Sequence, residues 1–395
     1  MIAVLKVAGA IVLFLVIALA LAITVVPRFL DRIYYRGPAS DHFDGQRFFN
    51  PDGDADTLRP PGGGSRAGFI FRYLTRTDGR PPWPAHVEVA QGKPPARIEG
   101  EAMLATWVGH ATVLVQTHGL NILTDPQWSD KTGPFRPPFS LGPRRVAAPG
   151  IRFEDLPRID LVLVSHDHWD HLDQPTLEWL WRRDRPRIVT SLGNDAVIRG
   201  AGGAVATAVD WGDRVPIRPG IDVVVTRAHH WGTRWSTDRN RALWSGFVVT
   251  FPSGGNLFFA GDTGLGDGKW ADEAASYGPI RLALLPIGAF RFVPGQMASG
   301  SHIGPVDAVE VYRRLGATHA IPIHWGTFRL SYEQYDTPPK LLNAAMTCTG
   351  QHGFAPVPIG VPTVIAPYAP FTPPPAMSRD ALLRCLDTPA VHALR

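Results

Sequence analysis

Nine residues, Ser165-His166-Asp167-His168-Trp169-Asp170-His171-Leu172-Asp173, constrain this 395-residue chain more than any other stretch. The apolar, β-branched run Ile159-Asp160-Leu161-Val162-Leu163-Val164 precedes them and reads as a buried strand. Asp173-Gln174-Pro175, followed by Leu177 and Trp179-Leu180-Trp181, reads as a capped helix with Pro in its first turn. The motif therefore occupies a loop at the C-terminal end of a strand, where α/β folds place their chemistry. Three imidazoles and a carboxylate this close suit a divalent ion of zinc type, which takes nitrogen and carboxylate oxygen. His166 and His168 can face one ion, and Asp170 and His171, further round the turn, a second. A purely solvated His-rich turn is the bland alternative, but the H-x-H-x-D-H pattern arises by chance on the order of once in a thousand such chains.

Later strands end in metal-capable residues too. Ile221 to Thr226 leads to His229-His230, Leu257 to Ala260 to Asp262, and Ala320 to Ile323 to His324. One such residue alone is usually structural, whereas four strand ends together supply what a two-metal site needs. Upstream, Leu104–Val108, Thr112–Gln116 and Leu120–Thr124 read as strands, with His118-Gly119 as a hairpin turn. Asp125, at the third strand's end, either orients a ligand histidine or forms a turn before Pro126. Further elements expected are strands at Arg187–Thr190 and Leu282–Ile287 and helices at Asn194–Ile198 and Val306–Leu315. Between Gly133 and Gly150, a Pro-rich loop with Phe135, Phe139, Leu141, Arg136, Arg144 and Arg145 is either a surface excursion or a lip for acyl chain and phosphate.

Val7 to Val26 is twenty residues without a charge, enough to cross a bilayer as a helix. Its length exceeds the apolar core of a signal peptide, so a retained anchor is expected rather than cleavage near Ala20-Leu21-Ala22. Lys6 precedes the span and Arg28, Arg32 and Arg36 follow it, which places the catalytic part on the cytoplasmic side. The organisation expected is an anchor over 1–36, a Pro/Gly-rich linker or arm over 37–100, and a catalytic domain over 101–395. The arm reading would use Phe48, Phe49, Phe69, Phe71 and Tyr73 as contacts. Lys and Arg exceed Asp and Glu by 39 − 35 = 4, which makes no case for nucleic acid. Cys348 and Cys385 are expected to give neither a disulfide framework nor a thiolate metal site.

In order, Asp125, the H-x-H-x-D-H run, a later His, Asp262 within Gly261-Asp262-Thr263 and a last His resemble the motifs of metallo-β-lactamase-fold hydrolases. The resemblance implies an α/β, four-layer αβ/βα sandwich, here preceded by the transmembrane helix, with two Zn2+ ions at one edge. It would give His166, His168 and His230 to the first ion and Asp170, His171 and His324 to the second, with Asp262 bridging. From about Arg47 to Pro339 the chain is also similar to the N-acyl-phosphatidylethanolamine-hydrolysing phospholipase D family. Trp107 to Val115, Gly142-Pro143-Arg144-Arg145, Ala228 to Trp231, Leu243 to Gly246, Phe258 to Gly264, Pro286 to Ala289 and Ile323 to Phe328 carry that similarity. Alignment on His-Trp makes His230, not His229, the ligand. His302 matches a histidine that contacts substrate phosphate, and Trp169 falls where the mammalian enzyme has Tyr.

The activity so implied is zinc-dependent hydrolysis of N-acyl-phosphatidylethanolamine-like lipids to phosphatidic acid and N-acylethanolamine, with Asp170 or His302 moving the proton and Trp169 and His302 binding substrate. Partners expected are membrane phospholipid, the bilayer through the N-terminal helix, and a second copy of the chain as homodimer. A lactonase or phosphodiesterase of the same fold acting on a soluble substrate is the alternative. A di-iron redox protein is disfavoured because such proteins carry a carboxylate where this chain has His168. A binding module without catalysis would require a broken ligand set.

Overall fold

In the computed structural model, residues 2–54, 75, 77, 79–136, 139–292 and 296–394 are described. Two sheets face each other. The first has seven strands in the order β13-β1-β2-β3-β4-β5-β6, comprising β1 (Met103–Gly109), β2 (Thr112–Thr117), β3 (Leu120–Thr124), β4 (Leu161–Val164), β5 (Arg187–Ser191), β6 (Ala206–Val209) and β13 (Pro362–Ile365). The second runs β12-β11-β10-β9-β8-β7, from β7 (Arg214–Arg218), β8 (Ile221–Thr226), β9 (Gly246–Thr250), β10 (Asn256–Phe259), β11 (Ile280–Pro286) and β12 (His319–Ile323). Strands β3 to β6 pair in parallel, as do β10 to β12, and the other pairings are antiparallel.

Side-chain alternation explains why the strands before the site are apolar throughout. Leu161 and Leu163 of β4 enter the core between the sheets, while Val162 and Val164 face the outer layer. On β10, Leu257 and Phe259 point between the sheets and Phe258 points outward. A strand covered on both faces cannot alternate with polar residues. Leu177 and Leu180 of α3 (Gln174–Asp184) and Val197 and Ile198 of α4 (Asn194–Ile198) cover the first sheet. The second is covered by α5 (Lys269–Ala275), α6 (Pro305–Leu315), α7 (Thr337–Thr349) and α8 (Arg379–Cys385), followed by the short α9 (Pro389–His392). The result is the αβ/βα sandwich expected.

Two expectations are corrected. The segment Val7–Val26 is not one helix: α1 (Ile2–Thr24) stops at Thr24, a turn intervenes at Val25, and α2 (Val26–Leu30) starts anew. Its uncharged part, Val7 to Thr24, rises only about 27 Å at 1.5 Å per residue, against about 30 Å of hydrocarbon. No helix among the described residues is long and apolar enough to cross a membrane. The transmembrane anchor falls, and with it the membrane-anchored localisation and the side of the membrane inferred from flanking charge. The second correction concerns Cys348 and Cys385, which form a disulfide between α7 and α8 across 37 residues of sequence. No short spacing announces the pair because helix packing brings it together.

Residues 31–54 lie on the domain surface. Phe43 and Phe48 are buried against Ala228, Leu243 and Trp244, and Asp31 pairs with both Arg47 and Arg241. Phe69, Phe71 and Tyr73 fall outside the described residues.

Candidate metal centre

The loops after β4, β8, β10 and β12 open at one edge of the sandwich and carry His166 to His171, His230, Asp262 and His324 respectively. Gly261 lets β10 turn there: its φ is +62°, and a Cβ would stand 2.6 Å from that of Ser165. The ligand-capable atoms of His166, His168, His230 and Asp262 lie within 4.8 Å of one another. So do those of His110, Asp170, His171 and His324, and those of Asp262, His302 and His324. The histidines and aspartates expected at the site thus lie together, and His110 joins them.

His168 Nδ1 lies 2.8 Å from His166 Nε2 and 3.4 Å from His230 Nε2. The two groups meet at Asp262, whose Oδ2 stands 3.1 Å from His171 Nε2 and 3.0 Å from His324 Nε2. Asp170 Oδ2 lies 3.4 Å from His324 Nε2, 3.6 Å from His171 Nε2 and 2.9 Å from His110 Nε2. His302 Nδ1 is 3.7 Å from Asp262 Oδ2.

A surrounding set of bonds fixes ring orientations. The Asp125 carboxylate accepts from His171 Nδ1 at 2.6 Å, and from the Ser165 hydroxyl and backbone N–H at 2.6 and 2.7 Å. The Ser165 hydroxyl in turn meets His166 Nδ1 at 2.8 Å. Of the two readings left open for Asp125, orienting a ligand histidine is the one this geometry matches. His230 donates through Nδ1 to the Ser301 carbonyl at 2.8 Å. His229 turns away, with Nδ1 3.0 Å from the Asp52 carboxylate.

Burial and neighbouring imidazoles hold His166 and His230 neutral well below the usual histidine range. Burial likewise lowers His168 to about 3 and His302 to about 4, against the pull of nearby carboxylates. At His171 and His324 burial also disfavours charge, but the Asp262 and Asp170 carboxylates outweigh it. His171 rises well above its ordinary value and His324 to about 9. Both acids are held well below the carboxylate range by these imidazoles despite their burial.

These donors fit divalent ions. Nε2 of His168, Nδ1 of His302 and Oδ1 of Asp262 are buried without a hydrogen bond, a costly condition for groups facing no cation. Imidazole nitrogen and carboxylate oxygen, with each imidazole oriented from behind, are a zinc-type donor set.

Sequence reasoning missed His110 as a site residue. It occupies the hairpin between β1 and β2 at φ +53°, and its backbone carbonyl accepts from the His324 N–H at 3.0 Å. The usable signal was a histidine after Gly109 in a turn, since a non-glycine residue with positive φ is uncommon. Trp169, between His168 and Asp170 in sequence, is half-buried, its indole donating to the Arg234 carbonyl at 2.7 Å. With Phe135 and Trp235 it lines a cavity of about 170 Å³. On the neighbouring loop Phe135, Phe139 and Leu141 are exposed, whereas Arg136 pairs with Glu178 and Arg145 is buried against the Gln127 carbonyl.

A family described as "Beta-lactamase superfamily domain" matches residues 120–325. The chain is 34% identical over 253 residues to the N-acyl-phosphatidylethanolamine-hydrolyzing phospholipase D 1 of Caenorhabditis elegans, covering 60% of this chain and 68% of that protein. It is 32% identical over 241 residues to the mitochondrial protein of the same activity name from Saccharomyces cerevisiae, covering 60% of this chain and 50% of the yeast protein. Among solved structures it resembles in fold the isothiocyanate hydrolase from Delia radicum gut bacteria. That match has a TM-score of 0.51 and 19% identity, over 67% of this chain and all of the other.

Proposed function

From its membership of the beta-lactamase superfamily, whose domain spans more than half of its length, and its character as a metal-dependent hydrolase, we propose that this protein is a zinc-dependent phosphodiester hydrolase of phospholipase D type. Its substrates are N-acyl-phosphatidylethanolamine-like lipids. Water is added across the phosphate ester on the amide-bearing alcohol's side, and the products are phosphatidic acid and an N-acylethanolamine. The single observation that carries the reading is the pair of adjoining clusters, His166, His168, His230 and Asp262 on one side and His110, Asp170, His171 and His324 on the other, with Asp262 Oδ2 also 3.1 Å from His171 and 3.0 Å from His324. The activity names of the nematode and yeast relatives supply the substrate class.

In this reading His166, His168 and His230 hold one Zn2+, Asp170, His171 and His324 the other, and Asp262 lies between. When bound, such ions supply positive charge toward phosphoryl oxygen and lower the pKa of water from 15.7 to about 7. The chain's own part is orientation and proton handling. Asp170, held ionised and bonded to His110, orients rather than donates. His302, neutral and with Nδ1 free of hydrogen bonds inside the site, moves the proton and lies against the phosphate. Trp169, with Phe135 and Trp235, lines a cavity able to take an apolar substituent.

The test is purified, zinc-loaded protein assayed against N-acylated and ordinary phosphatidylethanolamine, with products read by mass spectrometry. Release of N-acylethanolamine, abolished by chelation and restored by zinc, is the expected result. Turnover of a soluble phosphodiester or lactone with none of the lipid would replace this reading by the soluble-substrate hydrolase.

A further inference from the structure

Among the described residues, His230 is the member of the site whose backbone is bonded by a side chain from the N-terminal part of the chain. Asn50 is buried, 2% exposed, and its amide addresses both polar groups of that residue's main chain. Nδ2 donates to the His230 carbonyl at 2.9 Å, while Oδ1 accepts the His230 N–H at 3.2 Å. A primary amide used this way copies the two-point pairing of a neighbouring strand, which fixes position along the chain as well as distance. The remaining capacity of the amide is also taken: Oδ1 accepts the Trp244 indole N–H at 3.1 Å and Nδ2 donates to Asp54 at 2.6 Å. Neighbours reinforce the grip. Asp52 meets His229, the preceding residue, at 3.0 Å, and its carboxylate accepts the Asp267 N–H at 2.8 Å. Phe43 and Phe48 are packed on Ala228 and Trp244.

We infer that Asn50 is a positioning residue for the metal centre, through which the segment 41–54 sets where His230 presents Nε2. The inference rests on the reading of His230 as a metal ligand. The His230 ring bonds to the Ser301 carbonyl. The residue before it is pinned within the domain, the His229 N–H donating to the Thr263 hydroxyl at 3.0 Å and its carbonyl accepting the Gly264 N–H at 2.6 Å. The main-chain groups of His230 itself are bonded by Asn50. Of the first group of ligands, His166 and His168 sit on a loop braced within the domain, with Arg234 donating to the carbonyls of Asp167 and Leu172 at 3.0 and 2.9 Å. The N–H and carbonyl of His230 itself bond instead to Asn50. Loss of groups that orient a ligand from behind weakens metal binding about 10–100-fold.

The experiment measures Zn2+ stoichiometry and affinity by chelator competition, and the visible absorption of the Co2+-loaded protein, in the wild type, Asn50→Ala, Asn50→Asp and Asp31→Asn. Asn50→Asp keeps an acceptor for the His230 N–H but sets oxygen against the His230 carbonyl, and it serves if the alanine variant does not fold. Asp31→Asn breaks the bridge by which Asp31 ties Arg47 of that segment to Arg241 of the domain, without touching His230. We expect one of two ions to bind about 10–100-fold more weakly in both Asn50 variants, with an altered cobalt spectrum, and both ions to bind normally in Asp31→Asn. Unchanged affinity and spectrum in the Asn50 variants, or an equal loss in Asp31→Asn, overturns the inference. A wild type that takes up no stoichiometric metal refutes instead the metal-centre reading on which it rests.

Discussion

Asp125→Asn removes one charge behind the site while keeping shape and volume. The carboxylate accepts three hydrogen bonds, from His171 Nδ1 and the Ser165 hydroxyl at 2.6 Å each and from the Ser165 N–H at 2.7 Å. An amide has one accepting oxygen. If that oxygen keeps the Ser165 N–H, the amide NH2 faces the Ser165 hydroxyl and His171 Nδ1. The imidazole must then accept at Nδ1 and carry its proton on Nε2, the atom 3.1 Å from Asp262. A protonated Nε2 binds no cation, so the ion held by Asp170, His171 and His324 loses about 10–100-fold in affinity. At 1.4 kcal/mol per tenfold, that is about 1.4–2.8 kcal/mol. The other ion, reached only through Ser165 and His166, loses less. Zinc competition against a chromophoric chelator resolves the two sites, and calorimetry of chelator-treated protein reports the cost to the fold, about 1.5–3 kcal/mol for a bond to a charged group. Wild-type affinity at both sites in the Asn variant would reduce Asp125 to a turn former and refute the orientation argument.

Four further outcomes follow from the structure. His168→Ala should lose metal content and turnover together, and a variant retaining full zinc and rate would sink the ligand assignment. Zinc binding near pH 7.5 should expel protons, since without a cation His171 is raised well above the ordinary histidine value and His324 to about 9, metal-bound water ionises near pH 7, and His166, His168 and His230 are already neutral. Titration heats would then differ between buffers of high and low ionisation enthalpy, and identical heats refute the expectation. The raised His324 value also gives the chelator-treated protein stability that is complete below pH 6.5 and lost as pH rises through about 9; a flat melting temperature over that window would contradict it. Cys385→Ala releases a disulfide closing 37 residues, a loss of about 3–4 kcal/mol in the loop-entropy picture. It should lower the thermal midpoint without changing zinc stoichiometry.

The layers of the fold were legible where a strand is covered on both faces, because Leu161 to Val164 or Leu257 to Phe259 can then be nothing but apolar. Legibility failed mainly at the margins, though β9 (Gly246–Thr250), inside the second sheet, also went unread. β7, Arg214-Val215-Pro216-Ile217-Arg218, is the outermost strand of its sheet, where charge and proline are tolerated. β6 and β13 are short and sit at the two edges of the other sheet, with partly exposed residues. The N-terminal reading failed on helix continuity, since an apolar count does not show the break at Val25. At the site, the His-rich loop and strand-end residues announce themselves by type and place. His110 and Asn50 do not: one enters through a hairpin and the other 180 residues before its contact.

The metal centre draws its parts from both sheets, and this explains why it can be buried. Asp170 follows β4 in one sheet, Asp262 follows β10 in the other, and the two carboxylates approach each other where the sheets meet. Two buried acids at such range repel unless positive charge lies between them. His171 and His324 lie there, each within 3.6 Å of both acids, and in the absence of a cation their protons provide that charge. A divalent ion takes over the same role more strongly and releases the protons, so folding and metal loading draw on one electrostatic requirement. The neutral trio His166, His168 and His230 has a single carboxylate, Asp262, in its group. Its placement must therefore come from bonds behind the rings, from Ser165 to His166 and from Asn50 and Ser301 to His230. One half of the site is held by charge and the other by hydrogen bonds, which is why pH should disturb the first and substitution of Asn50 the second.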